Sequence, residues 1–419
     1  MTRHRSGKFA FACGMLALLL LPGAAGASGY SVVYSFAGGS DGAGPETPLI
    51  KDTSGNLYGT TGGGGGTGCG GYGCGTVFKL APDGTETVLY AFTGGNDGFL
   101  PIGGLVRDKA GNLFGTTEGG GNYGYGTVFV VAPDGTERLL YSFCAKSNCR
   151  DGATPYAGLV AGSAHDFYGT TDYGGDTSCA GGCGTVFEVR LDGKEKVLHA
   201  FGGGSDGFYP DAALYIDGAG NLYGTTLEGG STGCIGYGCG TVFKISPDGS
   251  YAIVYTFKGP TEDGWGPEGS LVADSAGNLY STTIVGGAHH DGTVFRIATD
   301  GTESLLYSFK GRNNGDGANP EGRLRLDASG NLYGTTRVGG SAGGRGNNGG
   351  TMFQLAPDGT ETVLYAFCHG AGCTEGKEPS GDLTWNGSDK TALYGTTYGG
   401  GAHHNGVVFR YTLAPGKKK

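Results

Sequence analysis

The chain has 419 residues, of which 93 are Gly and 15 Pro, a composition that would ordinarily read as low complexity. No Gly-X-Y triplet runs through it, which excludes collagen, and 24 Tyr with 20 Phe supply enough aromatic surface to bury a core, which excludes disorder. Its formal charge of −10 makes nucleic acid and anionic lipid unfavourable partners.

Residues 1–27 read as a secretory signal peptide. Arg3, Arg5 and Lys8 form a basic start, Phe9 to Leu21 an apolar run, and Ala25-Gly26-Ala27 a cleavage site. That run is too short for a stop-transfer helix, and no later stretch is apolar for long enough to span a bilayer. Cys13 has almost no apolar stretch before it, which argues against a lipoprotein signal. Cleavage removes three basic groups, so the balance becomes 25 minus 38, or −13. The mature chain is expected to be exported and monomeric.

Val32 to Phe36 is the first strand signal, and it stands alone. A repeated unit then begins. In the second copy, Gly104 to Asp108 reads as a strand, Lys109-Ala110-Gly111 as a turn, and Asn112 to Thr117 as the next strand. A Gly-rich loop follows, then strands over Thr127–Val131 and Glu137–Phe143, separated by the tight turn Pro133-Asp134-Gly135. The motif G-N-L-Y-G-T-T ends at Thr61, Thr117, Thr171, Thr226, Thr283, Thr336 and Thr397, at intervals of 53 to 61 residues. G-T-V-F starts at Gly75, Gly126, Gly184, Gly240, Gly292, Gly350 and Gly406. V/L-Y-x-F ends at Phe36, Phe92, Phe143, Phe201, Phe257, Phe309 and Phe367.

Four short strands per unit, seven times, without helical periodicity, describe an all-β, seven-bladed β-propeller over residues 28–413, followed by a basic tail over 414–419. The last unit stops at Val407 to Tyr411, a third strand with no fourth after it. The N-terminal strand would therefore complete the last blade and latch the ring. A β-solenoid or two smaller rings are the alternatives; a solenoid would gain nothing from this half-unit offset.

The three motifs in tandem behind a signal peptide resemble the GloVer tandem-repeat family of exported bacterial proteins, from Tyr30 to about Leu413. That family has no established biochemical activity. The resemblance implies propeller-like repeats and a secreted, periplasmic or cell-envelope location. Its members often carry a C-terminal anchoring segment; the ending Pro415-Gly416-Lys417-Lys418-Lys419 departs from that pattern.

Ten cysteines remain after cleavage, in the close pairs Cys69 with Cys74, Cys144 with Cys149, Cys179 with Cys183, Cys234 with Cys239 and Cys368 with Cys373. In an exported chain these read as five disulfides rather than as zinc ligands, which favour two-residue gaps. They are expected to pin loops and to leave the core to packing.

Residue types present in every unit most economically serve the scaffold, so unit-specific residues are the better functional candidates. D-G-x-x-P precedes strand one at Asp41, Asp97, Asp151, Asp206, Asp263 and Asp316, with Gly376-Lys377-Glu378-Pro379 in unit seven. An axial ring of these carboxylates would suit Ca²⁺; the other reading is an Asx turn. No other cofactor is expected. The D-x-x-G-N turns at Asp52, Asp108, Asp217, Asp274 and Asp327 read as structural.

The residue after that proline enters the innermost strand beside the axis: Glu46, Ile102, Tyr156, Asp211, Glu268, Glu321 and Ser380 in units one to seven. Asp211, Glu268 and Glu321 would form an acidic arc of acid/base candidates, with Glu46 across unit seven from it. Two equivalent loops carry His289-His290 and His403-His404. Phe99, Phe208, Tyr209, Trp265 and Tyr398 are unit-specific aromatics on the same rim.

No P-loop, dinucleotide fingerprint or G-x-S-x-G elbow occurs in a supporting context. The reading is an exported binding module for a glycan or protein surface, contacting it through Glu46, Tyr209, Trp265 and the histidine pairs. Its rivals are a polysaccharide hydrolase or lyase using the arc, and an envelope protein without a specific site.

Overall fold

The computed structural model describes residues 29–414 except 164–165, 231–232, 312–313, 341–348, 371 and 389. The expected signal peptide and residues 415–419 of the basic tail lie outside this set. The described strands form seven four-stranded antiparallel sheets, arranged as the blades of a propeller. In blade two the strands are Val106–Arg107, Leu113–Thr117, Thr127–Val131 and Glu137–Ser142, from the axis outward. No helix among the described residues is long and apolar enough to cross a membrane.

The chain closes through its ends. Gly29–Ser35 pairs antiparallel with Val407–Thr412, from Gly29 opposite Thr412 to Ser35 opposite Val407, and becomes the outer strand of blade seven.

Each motif has a physical task. The second Thr of the T-T pair hydrogen-bonds the Thr that opens strand three, as in Thr117 Oγ1 to Thr127 Oγ1 at 2.8 Å. In blade seven Val407 stands in that place, and its backbone N–H donates to Thr397 Oγ1 at 3.2 Å. In blades two, three, five and seven the first Thr reaches the neighbouring blade, as Thr116 Oγ1 donates to the Ala157 carbonyl at 2.9 Å and Thr396 Oγ1 to that of Thr47 at 3.2 Å; in blade one Thr60 bonds Thr47 of its own blade. This accounts for an inner strand shorter than the expected Gly104–Asp108. Above Val106 the chain turns its carbonyls toward the adjacent blade, because the seven inner strands converge at the axis.

The core lies between blades. The final Phe of V/L-Y-x-F stands edge-on to the Phe of the next blade's G-T-V-F, with centroids 5.1 Å apart for Phe92 and Phe129 and 5.3 Å for Phe201 and Phe243. These rings are almost wholly buried. The Gly of L-Y-G-T-T lies directly beneath: a Cβ on Gly224 would sit 2.4 Å from Phe243 Cζ. Gly224→Ala is accordingly expected to lose about 1–3 kcal/mol, the usual cost of overpacking a filled core. Gly218→Ala, where a Cβ meets nothing within 4 Å, should leave a chemical-denaturation midpoint unchanged.

Candidate functional site

The loop before strand one builds the site. In every blade the residue before the proline is left-handed: Gly44, Leu100, Thr154, Tyr209, Gly266, Asn319 and Glu378, with φ between 55° and 67°. Five of these are not glycine, so the conformation is held against its intrinsic cost by hydrogen bonds on both sides. The Tyr209 N–H donates to the Cys183 carbonyl of the preceding blade at 3.2 Å. On the other side the carbonyl accepts the N–H of the residue that follows strand two, as Thr154 does from Asp172 at 3.1 Å and Asn319 from Arg337 at 2.9 Å. Two sets of unit-specific side chains thereby meet at one mouth of the axial channel.

The first set is the one anticipated. Glu46, Ile102, Tyr156, Asp211, Glu268, Glu321 and Ser380 all line an axial cavity of about 250 Å³. The second set was missed: Glu118, Asp172 and Arg337, each immediately after T-T. The residue at that position varies by unit as widely as the one after the proline, and this variation was the available signal.

The mouth gathers six carboxyl groups, those of Glu46, Glu118, Asp172, Asp211, Glu268 and Glu321, and the guanidinium of Arg337 lies 3.4 Å from Glu321 Oε1 and acts on Glu46 and Glu268. Burial raises Glu46 to about 7; Arg337 opposes the shift, and Glu321, Glu118 and Glu378 add to it. Glu268 is pushed to about 8 by burial and then by Glu321 and Asp211. Asp172 and Asp211 meet across the seam of blades three and four: burial and then Glu118 raise Asp172, while burial and then Asp172 raise Asp211. The Oδ1 atom of each is buried without a hydrogen-bond partner. Near neutral pH the mouth thus presents carboxylic-acid donors beside carboxylate acceptors.

The remaining candidates are scattered. Tyr209 is half-buried, edge-on to Tyr173 at 5.3 Å. Trp265 donates its backbone N–H to the Val285 carbonyl at 2.9 Å and packs on the core between blades four and five. His289, His290 and His403 are exposed loop residues. His404 lines a groove of about 720 Å³ with Glu46, Tyr72, Phe99, Arg337 and Tyr398. The described tyrosines that are exposed, from Tyr173 at 39% to Tyr72 at 85%, all stand on this face.

All five cysteine pairs are joined as expected, Cys69 to Cys74, Cys144 to Cys149, Cys179 to Cys183, Cys234 to Cys239 and Cys368 to Cys373, in loops of the same face. The expectation that they leave the core to packing needs correction for three of them. Cys74, Cys183 and Cys239 directly precede the Gly of G-T-V-F, where the chain drops into strand three, so each is buried and joins the interblade core. Their carbonyls also hold the loops that build the mouth: that of Cys74 accepts the Leu100 N–H at 3.0 Å, and that of Cys239 the Gly266 N–H at 3.2 Å. The other two pairs are loop pins placed before strand one. The Cys149 carbonyl accepts the N–H groups of Gly152 and Gly175, and the Cys373 carbonyl those of Gly376 and Gly401, each at 2.9 Å. Cys149 and Cys373 are only partly buried, because their loops stand out beyond the blade edge.

The D-G-x-x-P aspartates do not ring the axis. Each turns to the outer strand, as Asp41 accepts the Tyr34 hydroxyl at 2.8 Å and Asp151 that of Tyr141 at 2.7 Å. Backbone N–H groups of the same loop, such as those of Ala145 and Lys146, occupy their remaining oxygens. Unit seven is not an exception: Glu375 takes the aspartate's place and accepts the His369 N–H. Among the described residues no group of three or more His, Cys, Asp or Glu side chains is placed to hold a metal. The D-x-x-G-N aspartates cap their turns, with Asp108 accepting both the backbone and the side-chain N–H of Asn112.

Solved structures with this architecture include the extracellular domain of a hybrid two-component system from B. thetaiotaomicron. It is 12% identical with a TM-score of 0.53, and the match covers 92% of this chain and 41% of that one. A second such domain from the same organism is 10% identical with a TM-score of 0.52, over 89% of this chain and 39% of that one. A gluconolactonase from Xanthomonas campestris is 15% identical with a TM-score of 0.44, over 92% and 89%. The chain thus spans about two fifths of the length of those extracellular domains, and likeness at these identities shows the fold alone. No curated protein matches the sequence. The Gloeobacter/Verrucomicrobia repeat matches residues 23–179 and 234–419, most of the chain. With its motifs accounted for blade by blade, the chain belongs to the Gloeobacter/Verrucomicrobia repeat family.

Proposed function

We propose that the protein is an extracellular binding module whose ligand is a glycan, taken at the acidic mouth of the channel. The observation that carries this reading is the gathering of six carboxyl groups at one mouth, part protonated and part ionised near neutral pH. Each sugar hydroxyl both donates and accepts, and a ring of acid and carboxylate oxygens complements it. The exposed tyrosines on the same face add flat apolar surfaces with polar edges, suited to sugar rings. Five disulfides and the signal-peptide reading of residues 1–27 accord with an oxidising compartment. The extracellular domains that share the architecture belong to two-component systems, in keeping with a sensing or docking role outside the cell.

The test is retention of purified mature chain on a panel of polysaccharides, with released products assayed in the same tubes. Binding without products is expected. Affinity should fall at least tenfold, about 1.4 kcal/mol, in an Asp211→Asn, Glu268→Gln double variant. Retention on proteins but on no polysaccharide would refute the glycan assignment.

The buried pair Asp172 and Asp211, both held above the ordinary carboxylate range, supports a second reading, acid–base hydrolysis. That reading requires new reducing ends that vanish in Asp211→Asn.

A further inference from the structure

Below its acidic mouth the channel changes sign. The residues of blade six that line it after Glu321 are Arg323 and Arg325. At the position of Arg323 other blades place Pro48, Gly104, Gly158, Ala213 and Ser270, so two guanidiniums enter the cavity from one blade. Arg323 Nε is buried without a partner, and its Nη2 makes only a 3.3 Å bond to the Leu214 carbonyl. Arg325 Nε donates to the Leu383 carbonyl. Neither arginine forms an ion pair among the described residues. The nearby carboxylate, Asp382, is already engaged by the Arg323 backbone N–H at 2.7 Å. Buried charges are nearly always paired, so two cations against the single carboxylate of Asp382, which acts on Arg325, leave an excess that an anion would neutralise.

Arg325 also lines a vestibule of about 840 Å³ with Lys51, Asp52, Thr384, Trp385 and Asn386, where the Asp52 oxygens accept from Ser54, Asn56 and Tyr58. Its wall is formed by the turns between strands one and two of blades one and seven, so it opens on the face opposite the acidic mouth. Blade seven departs here from the D-x-x-G-N turn: Asn386 to Thr391 replaces it, and the Asn386 Oδ1 is buried without a partner. The Lys51 ammonium donates to the Asn386 carbonyl, which ties Asn386 of blade seven to blade one across the closing seam.

We propose that this vestibule binds a carboxylate-bearing sugar, such as a uronate unit, entering from the face opposite the acidic mouth. The fork of Arg325 matches a planar carboxylate, and Lys51 adds charge. The volume exceeds what an inorganic ion needs, and Trp385 with the Asn386 amide offers an aromatic and polar wall for a hydroxylated ring. Entry past the six carboxyl groups of the upper mouth would be repelled. The site does not rest on the glycan reading of that mouth.

Calorimetric titration of the full mature chain with D-glucuronate, glucose and inorganic phosphate tests the proposal. Glucuronate should bind and glucose should not. The glucuronate affinity should drop at least tenfold in Arg325→Gln, weaken with added salt, and stay within twofold in Glu268→Gln. Arg325→Lys keeps the charge without the fork and should lose part of the affinity; together with Trp385→Ala it decides the matter if Arg325→Gln fails to fold. Absence of glucuronate binding overturns the proposal, as does an unchanged affinity in these variants. Equal affinity for phosphate overturns the sugar-acid assignment. Loss in Glu268→Gln alone would move the site to the upper mouth and so refute it.

Discussion

A chain lacking residues 29–36 is expected to lose its cooperative thermal transition. Those residues supply the outer strand of blade seven and, with Phe36, part of the core between blades seven and one. Phe36 is fully buried among Leu49, Leu57, Phe78, Leu80 and Val408, edge-on to Phe78 at 5.1 Å. Truncating such a ring to Ala costs about 3–5 kcal/mol by itself. Deletion also strips Val407–Thr412 of a ladder partner and leaves a bare strand edge prone to association. Domains are stable by only about 5–15 kcal/mol, so the combined loss is expected to open the ring. Phe36→Ala should fold but melt at a clearly lower temperature, whereas the deletion should show a broad, non-two-state loss of circular dichroism. A truncated chain melting like the intact one would mean that blade seven is stable with three strands.

The closure was legible because the two terminal half-units, Val32–Phe36 and Val407–Tyr411, complement each other only in a ring. The interblade core was legible for a related reason: Phe, Gly and Thr recur at fixed places because every seam poses the same packing problem. The cysteine pairing followed from spacing alone, but the burial of Cys74, Cys183 and Cys239 did not, since it depends on where the next blade's loop lands. The site was half legible. Residues after the proline were found by their variation within a constant frame, and all seven line the channel. Glu118, Asp172 and Arg337 escaped because their meaning lies between units: Asp172 follows strand two of blade three, yet its carboxyl belongs with Asp211 of blade four. A motif read within one repeat does not display a partner supplied by the next. Trp265 was singled out for its rarity in a Gly-rich loop, but the loop folds back and seats the indole on the interblade core.

The same seams predict a pH dependence. Glu86, Glu137, Glu303 and Glu361 open the fourth strands, and each sits close to the aspartate of a D-G-x-x-P loop, namely Asp41, Asp97, Asp263 and Asp316. Burial, and then the neighbouring aspartate, lifts each glutamate from 4.5 to about 7; Arg138, Lys258 and Lys310 oppose the rise in the last three. One oxygen of each lies buried without a partner. With the folded-state pKa above the unfolded one, the folded protein holds protons that the unfolded chain has released. The stability is therefore fully present below about pH 4.5 and is lost as the pH rises through 7. These groups are about half exposed, so solvent screening reduces each contribution to about 1 kcal/mol. Glu46 and Glu268 at the channel mouth, raised to about 7 and 8, act in the same direction. At the acid end the turn aspartates oppose them. Burial raises Asp52, but hydrogen bonds from Asn56 outweigh it and hold the group below its ordinary value, so its contribution is lost as the pH falls through that range. Thermal stability should therefore peak near pH 5 and decline by roughly 5 °C toward pH 8.5. Glu137→Gln combined with Glu303→Gln should flatten that decline and raise the melting temperature at pH 8.5. A melting temperature constant between pH 5 and 8.5, measured at fixed ionic strength, would show that the seam glutamates are ionised throughout.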